Sequence, residues 1–288
     1  MKTTSTTAGE EWDLVIRPQA RWYDLRLKQV ARYRDLLMIL VKRDFVAVYK
    51  QTLLGPLWFL IQPVLTALTF TFIFGSVAKI STDGSPRLLF YMGGITLWAY
   101  FSDCLTKTSN TFIANARIFG KVYFPRLIIP LSVIVSNLIK FGIQLVIFLC
   151  VWSYYYATTE KVNPHWELLW VLPLLIFLMA GLGFASGILI SSLTTKYRDL
   201  NFLVAFGVQL LMYGSSVVLP ISTMSEKVRS LLLLNPVTSV IEAFKYIFLG
   251  SGSFLPVYLV YSAGFMLVLM FLAVVIFTKV EKSFMDTV

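Results

Sequence analysis

The sequence predicts an all-α, polytopic membrane protein with six transmembrane helices, and three observations support this fold class. Hydrophobic residues make up 57% of the 288 positions and charged residues only 14%, whereas soluble domains are roughly 45–50% apolar. The mean hydropathy is +0.75. Six segments are apolar over the roughly 20 residues that a hydrocarbon core about 30 Å thick requires. They are residues 53–78, 88–105, 127–152, 168–193, 200–219 and 254–278.

The lysines and arginines give these spans an orientation. Eighteen of them lie in the N-terminal segment, in loops on the same side of the membrane and after the last span, and six lie on the other side. The positive-inside rule therefore predicts that both termini are cytoplasmic. The net charge of +10 mostly reflects this asymmetry. The sequence has no basic groove with interleaved aromatic residues, so nucleic acid is not a predicted partner.

Residues 1–52 precede the first span and are expected to form a cytoplasmic tail and an amphipathic interface helix. The first residues lack the apolar core of a cleaved signal peptide. From about residue 24 to residue 49, apolar and basic side chains alternate as in a helix that lies in the membrane interface among lipids. Such a helix either anchors the chain or acts as a lever for a cytoplasmic partner. Residues 53–288, with the Gly55-Pro56 break near their start, are expected to form a six-helix transmembrane domain.

Two predicted spans carry faces that mix aromatic and polar side chains at helical spacing. Polar side chains inside a membrane normally face protein or a cavity rather than lipid, so each face is either a helix–helix contact or the wall of a conduit. Aromatic rings and amides together suit a substrate with many hydroxyl groups. The candidate conduit residues are Phe59, Gln62, Thr66 and Phe70 in the first span, and Phe206, Gln209 and Tyr213, followed by Ser216, in the fifth.

Lys140 lies deep inside the third predicted span, with Asn137 and Gln144 on the same helical face. A charge at that depth indicates a site by default, because it is expensive to place in hydrocarbon. Two interpretations remain open: a structural contact between helices, or a contact with substrate. Asp103 is an acid inside another span, but it is expected nearer to the inner surface.

The loop at residues 106–126 predicts a short cytoplasmic helix between the second and third spans. Phe112, Ile113 and Phe119 form a short apolar stripe in it. A free loop would not need such a stripe, so we expect this helix to dock on another surface. Pro125 stops the segment before the third span.

On the outer side, residues 231–249 predict a re-entrant helical hairpin that is broken at Asn235-Pro236. The helix after the break is about 20 Å long and too short to cross the bilayer. Non-helical backbone at that depth is tolerated where protein or a water-filled cavity surrounds it. The hairpin is therefore either a lid over a conduit or a plug in the interface.

Residues that carry enzymatic chemistry are scarce. His165, the sole histidine, is in an outer loop, and no Cys/His cluster has metal-ligand spacing. Cys104 and Cys150 are expected to be buried, unpaired thiols. The phosphate-binding loop of ATPases is missing. The chain is thus predicted to be no enzyme and to hold no cofactor or metal, and any ATP would be bound by a separate subunit.

A set of short sequence blocks runs in order from near the N-terminus to the outer hairpin. They are Ile16-Arg17-Pro18, Arg32-Tyr33-Arg34-Asp35-Leu36, Arg43-Asp44, YKQTLLGPLW at 49–58, Gln62-Pro63, Asn110, Asn115, KVYFPR at 121–126, Tyr197-Arg198-Asp199 and Asn235-Pro236. In this order they resemble the membrane subunit of type-two ATP-binding-cassette exporters, in the branch that exports bacterial cell-surface polysaccharides such as O-antigen. The resemblance covers nearly the whole chain.

The resemblance implies a homodimeric permease with a conduit along its two-fold axis, bound to two ATPase subunits that hold ATP and magnesium. It implies a polysaccharide substrate on an undecaprenyl-diphosphate carrier, moved outward across the bacterial inner membrane. It assigns residues 32–50 to an interface helix and cytoplasmic gate, 110–121 to a coupling helix and 231–249 to an outer gate. The coupling candidates are Arg32, Arg34, Asn110, Asn115, Arg117 and Lys121, and the outer-gate candidates are Asn235, Pro236 and Glu242.

The diphosphate of such a carrier would need cations at the cytoplasmic membrane surface. Lys42, Arg43 and Lys50 precede the first span at that depth and are the predicted headgroup site. Alternatively, these residues only hold anionic lipid, worth roughly 1 kcal/mol each. Because the family also exports teichoic acids and capsules, the resemblance does not identify which polymer this chain would export. Other readings are a drug or lipid exporter, a membrane enzyme acting on polyprenyl-phosphate sugars, and a proton-driven transporter.

Overall fold

The structure is a computed structural model that describes residues 31–50, 53–119, 124–194 and 199–284. Across this part of the chain the regular secondary structure is helical, without a strand, which confirms the predicted fold class. The helices are α1 (Arg34–Lys50), α2 (Trp58–Phe70), α3 (Arg87–Ser109), α4 (Thr111–Phe119), α5 (Ile128–Thr158), α6 (Leu172–Thr194), α7 (Leu200–Tyr213), α8 (Glu226–Leu233), α9 (Pro236–Leu249) and α10 (Pro256–Phe284).

Five of the six predicted spans appear as helices long and apolar enough to cross a membrane. Within the described residues they are Trp58–Val77, Arg87–Ser109, Ile128–Thr158, Trp166–Thr194 and Pro256–Val280. The first span combines α2 with a π-helical stretch, Thr71–Val77. It begins only after Gly55, whose φ of 50° lies in the left-handed region that favours glycine. The predicted break between the interface helix and the first span therefore lies where the glycine indicated.

The fifth predicted span is a shorter helix than expected. α7 has 14 residues and is about 21 Å long, and it ends at Tyr213 rather than at residue 219. The Asn235 side chain donates a hydrogen bond to the carbonyl of Gly214 over 3.0 Å, and the Lys245 ammonium donates to the carbonyl of Ser216. These side chains bind carbonyl groups that a continuing helix would have paired with its own N–H groups. Residues 214–219 are therefore a non-helical segment.

The break predicted at Asn235-Pro236 is confirmed: two helices, α8 and α9, are bent by 103° at their junction. Asn235 caps α9, because its side-chain oxygen accepts a hydrogen bond from the Val237 N–H over 3.1 Å. Pro236 occupies the first helical position, where a missing N–H has no cost. Gly250 ends α9 with a left-handed φ of 71°. The sequence signals at both ends thus produced the helix that was predicted.

α3 is the central helix of the bundle. In its apolar stretch 78% of the residues are buried, against 11% for the span that contains α2. Its closest neighbour is α6, because a Cβ on Gly187 would lie 2.5 Å from the Cβ of Thr108, and one on Gly183 would lie 2.7 Å from that of Cys104. Small residues at this spacing let two membrane helices approach closely. Cys104 is buried here as predicted, whereas the prediction for Cys150 is wrong because α5 exposes it.

A second apolar cluster closes the predicted cytoplasmic end of the bundle. Leu40 of α1, Phe112 of α4, Ile188 of α6 and Phe277 of α10 are buried together in it. The rings of Phe112 and Phe277 stack with their centroids 4.9 Å apart. The stripe of the loop helix α4 therefore docks on this chain itself through Phe112, while Ile113 remains exposed. α1 in turn packs along α5.

Candidate functional site

The predicted conduit residues of α2 lie at or near the surface of the single chain. Gln62 is exposed, and Phe59, Thr66 and Phe70 are half-buried. The Thr66 hydroxyl donates to the backbone carbonyl of Gln62 over 2.8 Å, which satisfies it inside an apolar helix. Phe70 meets the ring of Tyr91 on α3 edge-on, at a centroid distance of 6.2 Å. Gln62 is thus available to an outside group, while Phe70 is partly engaged in packing.

The predicted face of α7 is more exposed than that of α2. Phe206 is 63% exposed and Tyr213 48%, and Gln209 between them is exposed as well. Ser216 does not continue this face, because it is fully buried in the non-helical segment. An exposed amide among aromatic rings at membrane depth favours contact with protein or a polar cavity over contact with lipid. Both α2 and α7 pack against α3.

Four polar side chains form two cross-links between α3 and α5. The Lys140 ammonium donates to the Asp103 carboxylate over 2.6 Å, and the Lys107 ammonium donates to the side-chain oxygen of Asn137 over 2.7 Å. The members of each helix are three or four residues apart and share a face. The predicted structural contact of Lys140 is confirmed, with Asp103 as its partner. The ammonium also lies 5.7 Å from the ring centroid of Phe59 on α2, within cation–π range.

The basic residues of α1 lie on its exposed side. Arg43 forms an ion pair of 2.8 Å with Asp44, and Lys42 and Lys50 are exposed. Arg34 is 84% exposed and pairs at 3.8 Å with Asp35, the next residue of the helix, a contact that contributes little stability. These cations are thus available to a lipid or a partner at this end of the bundle.

A cavity of about 360 Å³ lies between α1, the α3–α4 junction and α5. It is lined by Arg43 and Asp44 of α1, by Thr106, Lys107 and Asn110 at the junction, by Thr111, Ala114 and Asn115 of α4, and by Ile129 and Val133 of α5. The structure therefore brings one predicted headgroup residue, Arg43, together with two predicted coupling residues, Asn110 and Asn115. Of the other coupling candidates, Arg32 is exposed near the start of α1, while Lys121 and the side chain of Arg117 lie outside the described residues.

Two buried charges hold the outer hairpin in place. Glu242 is 2% exposed, and its carboxylate accepts a hydrogen bond of 3.1 Å from the Ser253 N–H. Lys245, one helical turn later, is 0% exposed. Its ammonium binds the carbonyl of Ser216 and lies 3.5 Å from the ring centroid of Phe90 on α3. Together they connect α9 to the segment after α7, to the loop before α10 and to α3.

From the sequence, Lys245 is only one of the cations predicted on the outer side of the membrane and has no predicted contact, whereas the structure buries it completely. The ammonium is buried because α9 packs against α3 and α6, so Lys245 faces the bundle. Its position three residues after Glu242 on an otherwise apolar helix was the available signal. Lys107 was also missed, because it was counted only as a charge of the inner loop.

The family of the chain follows from a comparison with known sequences. The sequence model of the ABC-2 type transporter family matches residues 35–249, which is most of the chain. The chain belongs to the ABC-2 type transporter family. In this ABC-2 chain the match runs from α1 to the end of α9, so it includes the α3–α5 cross-links, the cavity and the outer hairpin.

Individual relatives of this ABC-2 chain carry a more specific description. It is 29% identical over 255 residues to an O-antigen export system permease protein RfbA of Klebsiella pneumoniae, covering 88% of this chain and 94% of that protein. A second RfbA from Klebsiella pneumoniae is 29% identical over 259 residues. The RfbA of Myxococcus xanthus is 28% identical over 224 residues, which are 77% of this chain and 83% of that protein.

Proposed function

We propose that this chain is the permease subunit of an exporter that moves a bacterial cell-surface polysaccharide of the O-antigen type across the inner membrane. The observation that carries the proposal is the similarity to export permeases along 94% of the length of one of them. The multi-pass helical fold and the family membership agree with this function. Both termini would be cytoplasmic, as the distribution of Lys and Arg predicts.

The conduit in this proposal is formed by the exposed faces of α2 and α7 from two copies of the chain. Gln62 and Gln209 would offer amides and Phe206 and Tyr213 aromatic rings to a passing sugar chain, and Phe59, Thr66 and Phe70 would line the same route. Support comes from the exposure of these faces in the single chain. A homodimer would cover them from lipid, which removes the cost of exposed amides in hydrocarbon.

Energy would come from two copies of an ATP-binding-cassette ATPase subunit that bind ATP and magnesium. α4 is the proposed contact with that subunit, through Asn110, Asn115, Arg117 and Lys121, with Arg32 and Arg34 of the α1 region beside it. Support comes from the way α4 is held: Phe112 anchors it on α10, while Ile113 points outward and is 40% exposed. A helix fixed on one side and exposed on the other can transmit a push to the bundle.

The substrate in this proposal is linked to undecaprenyl diphosphate, and its headgroup meets Lys42, Arg43 and Lys50 at the cytoplasmic surface. The outer gate is the hairpin around Asn235 and Pro236, which the buried Glu242 and its neighbour Lys245 tie to the segment that follows α7. Opening of this gate would let the polymer leave on the outer side.

The experiment is deletion of the gene in its host, followed by complementation with the wild-type gene. We expect the surface polysaccharide to disappear and the same polymer, still on its lipid carrier, to accumulate inside the cell. Chemical analysis of the accumulated lipid identifies the polymer and separates an O-antigen from a teichoic acid or a capsule. An unchanged cell surface, with no accumulated lipid-linked polymer, would refute the proposal.

A further inference from the structure

The cavity between α1, the α3–α4 junction and α5, called here the α1–α5 cavity, concentrates positive charge and N–H donors at the predicted cytoplasmic surface. Arg43 enters it from α1 and Lys107 from the last turn of α3. Its volume of about 360 Å³ falls at the lower end of the range for small-molecule sites, roughly 300–1,000 Å³. Of the three predicted headgroup cations, Arg43 lines it, and Lys42 and Lys50 do not.

We propose that the α1–α5 cavity binds the phosphate headgroup of a membrane lipid, with Arg43 and Lys107 as its two cations. A carrier diphosphate and an ordinary anionic phospholipid share this chemistry. The choice of the carrier as the natural occupant rests on the proposed function, whereas the phosphate site itself rests on the geometry of the cavity.

The two cations keep donors for a phosphate after their contacts within the protein are made. The Arg43 guanidinium has five N–H groups, and its contacts of 2.9 and 2.8 Å to Asp44 are made by Nε and one Nη. The Lys107 ammonium has three N–H groups, of which one is directed at Asn137 over 2.7 Å. Arginine presents a fixed fork to phosphate and lysine a point charge, so the pair suits one anion.

Side-chain amides add neutral donors around the two cations. Asn110 donates to the carbonyl of Thr106 over 3.1 Å, and Asn115 donates to that of Thr111 over 3.0 Å. Each bond uses one of the two hydrogens that an amide nitrogen carries. A phosphate in the cavity would therefore be within reach of α1 and of α4, the helix proposed to meet the ATPase.

The charge balance distinguishes Lys107 from the other lysine of the α3–α5 cross-links. Lys140 is paired with Asp103 at 2.6 Å, so its charge is already compensated. Lys107 instead binds the neutral amide of Asn137, and among the described residues no carboxylate lies within 4 Å of its ammonium. Asp44 also lines the cavity, but it compensates Arg43. One positive charge thus remains for an anion.

The apolar part of the lining suits a headgroup that is attached to a hydrocarbon chain. Ala114, Ile129 and Val133 contribute this part. Val133, Asn137 and Lys140 follow one another on the same face of α5, so the wall continues from the cavity into the membrane-spanning part of the helix. A soluble phosphate would not need such a wall, and we therefore expect lipids to bind more tightly than inorganic pyrophosphate.

The test uses the full chain in nanodiscs of phosphatidylcholine, with a fluorescent reporter in the cavity. Ala114, which is exposed, is replaced by Cys and labelled with an environment-sensitive dye, after the exposed Cys150 has been changed to Ser. Three probes are titrated: undecaprenyl diphosphate, phosphatidylglycerol and inorganic pyrophosphate. We expect the dye fluorescence to change saturably with a lipid that carries a phosphate headgroup. The affinity should be about tenfold weaker in Lys107→Gln, because one charge-assisted hydrogen bond is lost. Lys279→Gln, which removes an exposed cation of α10, is the matched control and should leave the titration unchanged.

Gln keeps an amide that can still donate to Asn137, so Lys107→Gln should fold, and its thermal midpoint checks this. Arg43→Lys is the second variant and should also weaken binding, because it loses the fork. Saturation by undecaprenyl diphosphate alone identifies the carrier as the occupant, and equal saturation by phosphatidylglycerol identifies an ordinary phospholipid; both support the phosphate site. The phosphate site is overturned if neither lipid gives a saturable response, or if Lys107→Gln and Lys279→Gln lose the same amount of lipid affinity. Failure of the proposed function would appear separately, as an unchanged cell surface in the deletion strain.

Discussion

Replacing Gly187 by Ala should destabilise the bundle, whereas the same change at Gly142 should not. Gly187 lies on α6, where it meets α3, and an added Cβ would lie 2.5 Å from the Cβ of Thr108 and 2.9 Å from the backbone oxygen of Leu105. The oxygen belongs to helix backbone and cannot turn away. At Gly142 on α5, none of the described residues has an atom within 4 Å of the corresponding position.

The expected changes in the free energy of unfolding follow from these distances. Ordinary Cβ contacts are 3.4 Å or longer, so α3 and α6 must separate by roughly 1 Å to accept the methyl group of Gly187→Ala. Overpacking of this kind typically costs about 1–3 kcal/mol. Both substitutions gain about 1 kcal/mol from the better helix propensity of Ala. We therefore expect Gly142→Ala to be neutral or stabilising, and Gly187→Ala to be less stable than Gly142→Ala by about 1–3 kcal/mol.

The assay is reversible unfolding of the purified chain in mixed detergent micelles, followed by tryptophan fluorescence. Gly264→Ala on α10 serves as a second control, because its added Cβ would also have no atom within 4 Å in the part of the chain that the structure describes. An unfolding midpoint of Gly187→Ala equal to or above that of the two controls would refute the inferred contact between α3 and α6.

Three further predictions concern the charged and exposed side chains. In a double-mutant cycle of Lys140→Met and Asp103→Asn, we expect a favourable coupling on the order of 1 kcal/mol, because both side chains are partly exposed; additive effects would argue against the pair. Lys245→Met should lower the thermal midpoint more than Lys140→Met does, because Lys245 is fully buried and holds the segment after α7; the reverse order would contradict this. Tyr213→Cys in the assembled exporter should react with a water-soluble thiol reagent, and Leu267→Cys on α10 should not; equal protection of the two would mean that α7 does not line a conduit.

The sequence predicted the features that depend on local pattern. The apolar segments became five long helices, and the Asn235-Pro236 pair broke the chain where expected, because an N-cap and a proline act on their immediate neighbours. The end of α7 was not predictable in this way. It depends on the side chains of Asn235 and Lys245, which lie 21 and 29 residues beyond the carbonyls they bind.

The same limit applies to the candidate site. The depth of Lys140 in the membrane indicated that it needs a partner. That partner, Asp103, is 37 residues away in the chain, and only the packing of α5 on α3 brings the two side chains together. The cavity of Arg43 and Lys107 likewise joins helices that are separate in the sequence. By contrast, the close approach of α6 to α3 had a local signal in the spacing of Gly183 and Gly187, which the sequence reasoning did not use.

The polar contacts divide the helices into a fixed group and a movable group. α3 is bound to α5 by two short polar contacts, at 2.6 and 2.7 Å, and it packs closely on α6 through glycines. Among the described residues, α2 meets this group through aromatic rings, one of which, Phe59, lies 5.7 Å from the Lys140 ammonium, and through one long hydrogen bond of 3.5 Å from Gln144 to the carbonyl of Phe59. Helices in contact through aromatic rings can slide with a smaller loss of interaction energy than helices joined by ion pairs. We therefore expect α2 to move against a stable group of α3, α5 and α6 when a conduit opens.

Chemical cross-linking can test this division of the bundle. Tyr100 of α3 and Phe141 of α5 are neighbours, with ring centroids 5.0 Å apart, and Phe70 of α2 and Tyr91 of α3 are 6.2 Å apart. Each pair is replaced by two cysteines and joined with a short bifunctional thiol reagent in the assembled exporter. The link between α3 and α5 should leave export intact, because these helices do not separate, whereas the link between α2 and α3 should block it. Export that survives the second link, at full cross-linking yield, would show that α2 belongs to the fixed group and that opening depends on α7 alone.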